Sequence, residues 1–276
     1  MKKATQMKLF IGNKNYSSWS MRPWVLMRHL QIPFEEVMVR FDSFAPESKF
    51  KRTLAGLSPT GRVPVLQTEI DGRMQVIWDT LAIAEFLAEL HPDRRLWPAQ
   101  RAARARARAI VAEMHSGFTA LRTHFPLNVE AQLPELGPRI LHEQAAVRDD
   151  VARVEEIWAD CLAISGGPFL FGTFGIADAF YAPVASRFRT YGVPLGSSAE
   201  GYATRVLQAR GVAEWIAGAL AENDFLEFEE PYRRRASPSG TSRSQNAIAQ
   251  SGSSQAIGID SAKTAGTAQG RNPSRR

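Results

Sequence analysis

The sequence predicts an α/β domain of order βαβ-ββα followed by an all-α domain, on three observations. Short strand-like runs alternate with helical periodicity only as far as residue 90. The segment His91-Pro92-Asp93 then stops a helix, because proline disfavours helical geometry in the residue before it. From Ala99 to about Phe228, the periodic stretches have apolar residues at helical spacing.

The elements follow in order. Lys8 to Ile11 is a short apolar strand. Ser20 to Leu30 is a helix, with Pro23 tolerated only in the first turn, where no backbone N–H is needed. Phe34 to Phe41 is a second strand. Pro64 to Ile70 and Met74 to Ile77 are two strands joined at Asp71-Gly72, a strong hairpin turn signal. Thr80 to Leu90 is a helix with Asp79 as its N-cap. Beyond the linker, Ala102 to Leu121 reads as one long helix. Glu143 to Ile164, Ile176 to Phe188 and Gly201 to Leu220 read as the next helical stretches. The expected division is 7–90, 99–232 and a tail, 236–276.

The net charge of +6 is misleading. From Arg233 onward there are eight basic residues and one acid, leaving 26 basic against 27 acidic residues before it. The near-neutral body argues against a nucleic-acid groove. The tail is rich in Ser, Gly, Ala, Gln and Thr and has no aromatic residue, so it is expected to be disordered. No apolar run approaches the ~18–20 residues of a membrane span. The polar run Gly12-Asn13-Lys14-Asn15 argues against a secretory signal. The single cysteine, Cys161, excludes an internal disulfide and suits a reducing cytoplasm.

Chemistry concentrates where the first strand's loop runs into the first helix, at Tyr16-Ser17-Ser18-Trp19-Ser20-Met21-Arg22. A helix N-terminus presents unpaired N–H groups and favours anions, a thiolate among them. Lowering a thiol pKa by ~2 units takes ~2.7 kcal/mol. A hydrogen bond to a charged group contributes ~1.5–3 kcal/mol and a helix end ~0.3–1, so one hydroxyl donor there suffices. Spacing alone leaves two readings open: the serines cap the helix, or one of them activates a thiol. Gly61-Arg62-Val63-Pro64-Val65-Leu66 can be an ordinary strand start, since proline is tolerated there. Trp78-Asp79-Thr80-Leu81-Ala82-Ile83 can be a simple Asp N-cap, or a carboxylate-holding helix start.

Together, in this order, the three motifs resemble those of glutathione transferases over roughly residues 7–230. YSSWSMRPWVLMRHLQIPFEEV is similar to the first loop and helix of the serine-type zeta and tau classes, where a serine five residues before an arginine activates the glutathione thiol. Ser17 and Arg22 match that spacing; Trp19 stands where the zeta class has cysteine. Tyr16 and Ser18 remain runners-up for the thiol contact. The resemblance implies a thioredoxin-like first domain and a cis Val63-Pro64 bond. It also implies that Val63 pairs with the cysteinyl backbone as an added strand would. By the same resemblance Asp79 and Thr80 hold the γ-glutamyl end, and Arg62 and Lys51 are candidates for the glycyl carboxylate. His115 and Phe118 would line the electrophile pocket. Phe169 to Asp178 resembles the family's Ser/Thr-x-x-Asp helix start, in which Asp serves folding; Gly175 replaces the hydroxyl residue.

The implied protein is a cytoplasmic homodimer with glutathione as co-substrate, attacking small hydrophobic electrophiles. A glutathione-dependent isomerase of the maleylacetoacetate type, a dehalogenase, or a non-catalytic binding module are the alternatives. The five histidines lack a metal-binding spacing such as HExxH, so no metal is expected. Neither a nucleic acid nor a membrane is an expected partner.

Overall fold

The computed structural model describes residues 7–234. The serine- and glycine-rich segment 236–276, expected to be a disordered basic tail, lies outside them.

The α/β part is built on β1 (Lys8–Ile11), α1 (Ser18–His29), β2 (Glu35–Met38), α2 (Lys49–Ala55), β3 (Val65–Ile70), β4 (Arg73–Trp78) and α3 (Thr80–Leu90). Its sheet has the order β2-β1-β3-β4. β1 and β2 pair in parallel through the α1 crossover, with Leu9 opposite Glu36. β3 runs antiparallel to β1 and pairs with β4 as a hairpin. The hairpin turn has positive φ at both Asp71 (51°) and Gly72 (76°), the pairing that suits a twisted two-residue turn.

Two expectations are corrected here. The second strand spans Glu35–Met38 rather than Phe34 to Phe41. β1 ends at Ile11, so only Val39, donating to the Ile11 carbonyl at 2.8 Å, extends the pairing. Phe41 N–H instead donates to the Asn13 side chain at 2.8 Å. Helix α2 adds an element to the expected βαβ-ββα order. Ser48 Oγ caps it by accepting from Lys51 N at 3.1 Å, and Asp42 accepts from the Lys49 and Phe50 N–H groups.

The helical part comprises α4 (Arg101–Ser116), α5 (Thr119–His124), α6 (Leu136–Glu143), α7 (Ala145–Ser165), α8 (Ile176–Tyr191), α9 (Ser197–Gln208) and α10 (Arg210–Glu222). The expected long helix 102–121 breaks in two. Gly117 lies so close to the Glu113 carbonyl that a Cβ would sit 2.8 Å from that oxygen, and Phe118 turns left-handed at φ 55°. The expected stretch 201–220 likewise splits, at extended Ala209. Helix α6 had no counterpart in the periodicity.

Helix α8 is the central strut, buried over nearly its whole length. It packs on α1, α4 and α9, while α1 also packs on α10 and α3. Apolar residues of the sheet (Leu9, Ile11, Leu66) and of α1 (Met21, Val25, Leu26) join one continuous core with those of α8. A second cluster, Tyr16, Val39, Phe41, Phe50 and Leu54, lies on the β2–α2 side. This packing fixes the start of α1 against both parts of the molecule.

Candidate functional site

The β1–α1 loop folds on its own backbone: Tyr16 and Ser17 N–H donate to the Asn13 carbonyl at 3.1 and 2.8 Å. Ser17 is the N-cap of α1, accepting from Ser20 N at a long 3.4 Å. Its hydroxyl donates to Ser20 Oγ at 2.7 Å, and Ser20 Oγ accepts in turn from Gly12 N–H at 3.1 Å. Ser18 Oγ accepts from Arg187 Nη2 at 3.2 Å. Tyr16 points elsewhere. Its hydroxyl donates to the Glu230 carboxylate at 2.7 Å, and burial followed by that bond pushes the phenol up to about 12.

The Val63–Pro64 bond is cis. At the next landmark, Asp79 takes φ 74°, a region that costs a non-glycine residue about 1–3 kcal/mol and clusters at functional sites. Its Oδ1 accepts from Leu81 N at 2.8 Å, the expected N-cap. Its Oδ2 lies 3.4 Å from His115 Nε2. Thr80 is buried, and its hydroxyl has no partner among the described residues.

Two cavities meet at Trp19, Arg62 and Val63. One, of about 340 Å³, is bounded by Tyr16, Ser17, Ser18, Phe41, Phe44, Phe50, Lys51 and Glu229. The other, of about 400 Å³, is bounded by Thr60, Pro64, Trp78, Asp79, Thr80 and His115. Lys51 Nζ donates to the Gly61 carbonyl at 3.0 Å on the aromatic side, and Arg62 is exposed between the two. His115, expected at the electrophile pocket, instead stands beside Asp79 in the second cavity. Its Nδ1 is buried without a partner among the described residues, its ring meets Trp19 edge-on at 5.0 Å, and burial, Arg22 and Arg122 hold its pKa down. Phe118 is buried in the core and lines neither cavity.

Beneath the loop lie three arginines that the motif reading missed or left without a role. Arg22 is 2% exposed and Arg187 4%, while Arg122 is half-buried. The Arg22 guanidinium is stacked between Trp19, 4.3 Å away, and Phe180, 4.8 Å away, and its Nε and Nη1 have no partner among the described residues. The Arg122 guanidinium lies 5.7 Å from the ring of Trp19, the residue shared by both cavities. Burial first, and then Arg187 and Arg122, pull Arg22 down to about 9; burial pulls Arg187 down to about 10. All three stay charged at neutral pH. Among the described residues, Arg187 donates only to neutral oxygens, those of Phe125, Pro183 and Ser18. The result is a buried positive cluster that makes no ion pair among the described residues, although Asp79 acts on Arg22 and Asp150 on Arg122 from farther off.

Comparison with known proteins places this geometry. Residues 16–90 match the glutathione S-transferase N-terminal domain model, and residues 98–218 match the C-terminal domain model. The chain belongs to the glutathione S-transferase family.

Among relatives of this transferase-family chain is a protein named a probable maleylacetoacetate isomerase from Caenorhabditis elegans. It is 36% identical over 104 residues, 38% of this chain and 44% of the relative, so the chain matches less than half of that relative's length. A Burkholderia glutathione transferase homologue, crystallised with bound glutathione, superposes with a TM-score of 0.56 at 23% identity, covering 78% of this chain and 97% of that one. A Tau class glutathione S-transferase from mango (Mangifera indica) gives 0.58 at 18% identity, covering 79% and 97%. These likenesses carry the fold. Among the described residues no helix is long and apolar enough to cross a membrane, and no group of His, Cys, Asp and Glu could hold a metal ion.

A second aspartate stands in the first turn of α8. Asp178 is fully buried and accepts from Gly175 N at 3.0 Å, Leu170 N at 3.1 Å and the Tyr202 hydroxyl at 3.0 Å. Half of the reciprocal cap therefore survives the glycine at 175. Cys161 is buried, and burial pushes its thiol up, as expected of an inert side chain.

Proposed function

We propose that the protein is a glutathione transferase, in which glutathione lies across both cavities and its thiolate attacks a small hydrophobic electrophile. The observation that carries this reading is the buried cluster Arg22–Arg122–Arg187 beneath the walls of both cavities. Unpaired buried charge is costly, and an incoming anion relieves it. Glutathione brings two carboxylates and a thiol that becomes an anion.

Asp79 and Thr80 receive the γ-glutamyl end. The Thr80 hydroxyl and the first N–H groups of α3 bind its carboxylate, and Asp79 Oδ2 binds its amine. His115 positions Asp79 and belongs to this side of the site. Val63 pairs with the cysteinyl backbone, and Arg62 and Lys51 face the glycyl carboxylate. Ser17 donates to the sulfur. Reversal of its bond with Ser20, so that Ser20 donates, releases the Ser17 proton for that purpose. Ser18 is a second reading, favoured by one observation: it accepts from buried Arg187, which leaves its own proton free. Tyr16 is already committed to Glu230.

The likeness to the maleylacetoacetate isomerase relative supports a second reaction with the same thiolate, a glutathione-dependent isomerisation. Turnover without glutathione consumption would identify it. We further read the protein as a cytoplasmic homodimer. Exposed Met74 and Leu90, near the start and end of the β4–α3 segment, support the dimer, and sedimentation measures it.

The deciding experiment follows the thiolate ultraviolet absorbance of bound glutathione against pH. Ser17→Ala should raise the bound thiol pKa by about one unit or more, since one hydrogen bond to charged sulfur contributes ~1.5–3 kcal/mol. Ser18→Ala and Tyr16→Phe should leave it nearly unchanged. A large shift in Ser18→Ala alone moves the role to Ser18. Absence of glutathione binding by the wild type refutes the whole reading.

A further inference from the structure

The last described stretch of the chain returns to the thiol side of the site, where it places a carboxyl group that the reaction above does not use. Glu229 lines the same cavity as Ser17, Ser18 and Tyr16, among the aromatic rings of Phe44 and Phe50. Its neighbour Glu230 is fully committed. Glu230 accepts from the Tyr16 hydroxyl at 2.7 Å, from Asn128 Nδ2 at 2.8 Å and from Arg233 at 2.6 and 2.9 Å. These bonds anchor the short 3-10 turn Glu227–Glu229 against the β1–α1 loop. The Glu229 carboxyl itself makes no hydrogen bond or ion pair among the described residues.

We propose that Glu229 is the general acid for addition of glutathione to α,β-unsaturated carbonyl compounds, which makes such Michael acceptors the preferred substrate class of the aromatic cavity. This rests on the glutathione reading above and deepens it.

The environment fits that role. Burial, and secondarily the charge of Glu230, raise the Glu229 carboxyl to about 7. That brings the carboxyl toward neutral pH, the range in which a general acid works best. The other charged and titratable groups on this cavity do not hold it ionised. Lys51 on α2 is turned to the Gly61 carbonyl, Arg62 precedes β3, and the Tyr16 phenol is bonded to Glu230. None of them contributes to the shift of Glu229.

The chemistry balances. Glutathione gives up its thiol proton to solvent when it becomes thiolate. The sulfur forms a bond to the β-carbon, the C=C π pair moves into the C–C bond next to the carbonyl, and the carbonyl π pair moves onto oxygen. The Glu229 O–H delivers its proton to that oxygen, giving an enol and a carboxylate. The enol tautomerises to the saturated carbonyl adduct, and Glu229 takes a proton back from solvent. Substitution at an aryl halide differs at one point. Chloride leaves as an anion, and no oxygen needs a proton, so the same cavity gains nothing from Glu229 in that reaction.

The test compares benzylideneacetone with chlorodinitrobenzene, using glutathione and the full chain. In the wild type, the ratio of kcat/KM for the enone to that for the aryl chloride should fall as pH rises past 7, because the thiolate term cancels in the ratio. Glu229→Gln should lower the enone kcat/KM by about a hundredfold, leave the aryl chloride within about twofold, and abolish the pH dependence of the ratio. Glu229→Asp should recover part of the enone rate. Equal losses on both substrates would reduce Glu229 to a structural residue, and no loss on the enone would remove it from the reaction; either overturns the inference while the glutathione reading stands. Failure of the wild type to conjugate either substrate would overturn both.

Discussion

Helices α3 and α8 both carry an aspartate in their first turn or cap, Asp79 as the N-cap of α3 and Asp178 as the third residue of α8, and the two carboxylates are used in opposite ways. Asp178 is fully buried, and each of its acceptor positions facing the α8 entry is filled by Leu170 N, Gly175 N or the Tyr202 hydroxyl. Asp79 is exposed, sits at φ 74°, and uses one oxygen on Leu81 N while the other faces a cavity and His115. Beside it, Thr80 buries a hydroxyl with no partner among the described residues. A helix start whose polar groups are all satisfied holds a fold together. One that keeps backbone strain and an unspent hydroxyl is shaped for something that arrives later.

That contrast can be broken experimentally. The largest effect belongs to Asp178→Ala, which strands two backbone N–H groups and a buried tyrosine hydroxyl. At about 1–3 kcal/mol for each group left unpaired, the stability loss read by denaturant unfolding should be about 3 kcal/mol or more. Glutathione affinity of the folded protein should not change. A wild-type unfolding midpoint for this variant would dissolve the distinction between the two helix starts.

Asp79→Asn should do the reverse. Asparagine caps as well as aspartate, so stability should stay within about 0.5 kcal/mol. Loss of the charge facing the glutathione amine should weaken binding by about tenfold or more in calorimetry, since a charged hydrogen bond contributes ~1.5–3 kcal/mol. Unaltered affinity would make Asp79 a cap and nothing else.

Thr80→Val sharpens the comparison because its two effects have opposite signs. Removing an unpartnered buried hydroxyl for a methyl of the same shape should leave stability equal or raise it by up to about 1 kcal/mol. Glutathione affinity should fall. If both quantities dropped together, the hydroxyl would have a structural partner.

A further effect concerns Glu229, whose folded pKa of about 7 lies above the ~4.3 of an unfolded chain. The native state holds that proton more tightly. The resulting stability is complete below the unfolded value and is lost as pH rises through 7. The melting temperature of the wild type relative to Glu229→Gln should therefore decline between pH 5 and 8. A rising difference would show that the carboxylate gains a cation partner.

How much of this the sequence carried depends on the range of the interaction. The hairpin at Asp71-Gly72, the Asp79 cap and the Ser17 cap are local, because turn dihedrals and capping bonds involve residues a few positions apart. They were legible, as was the division into a mixed sheet and helices. The break at Gly117 was not, because the helical period runs through it and only the close approach of Glu113 O makes the glycine necessary. Nor was the place of His115, since periodicity gives the face of a helix and not its neighbour. The arginine cluster drew residues from α1, α5 and α8. Arg187 did leave a trace, as a charge inside the apolar periodicity of α8, where a surface helix would have shown a polar stripe. Glu229 left none, because an acidic FLEFEEPY stretch reads as solvated loop.

The attachment of Asn223–Arg233 across the β1–α1 loop has a consequence for how the protein is born. Tyr16 OH donates to the Glu230 carboxylate and lies 3.1 Å from the Asp224 carbonyl, and Asn13 Nδ2 donates to Asp224 at 2.7 Å. The ribosome delivers residue 16 long before residue 229. During synthesis the α3 side of the site can be assembled while the aromatic side still lacks a wall. A chain stalled before Asn223 would hold Tyr16 with nothing to grasp, and the phenol would be left bare at the mouth of the thiol site. Completion of the last turn is thus the step in synthesis that closes the aromatic cavity around its future electrophile.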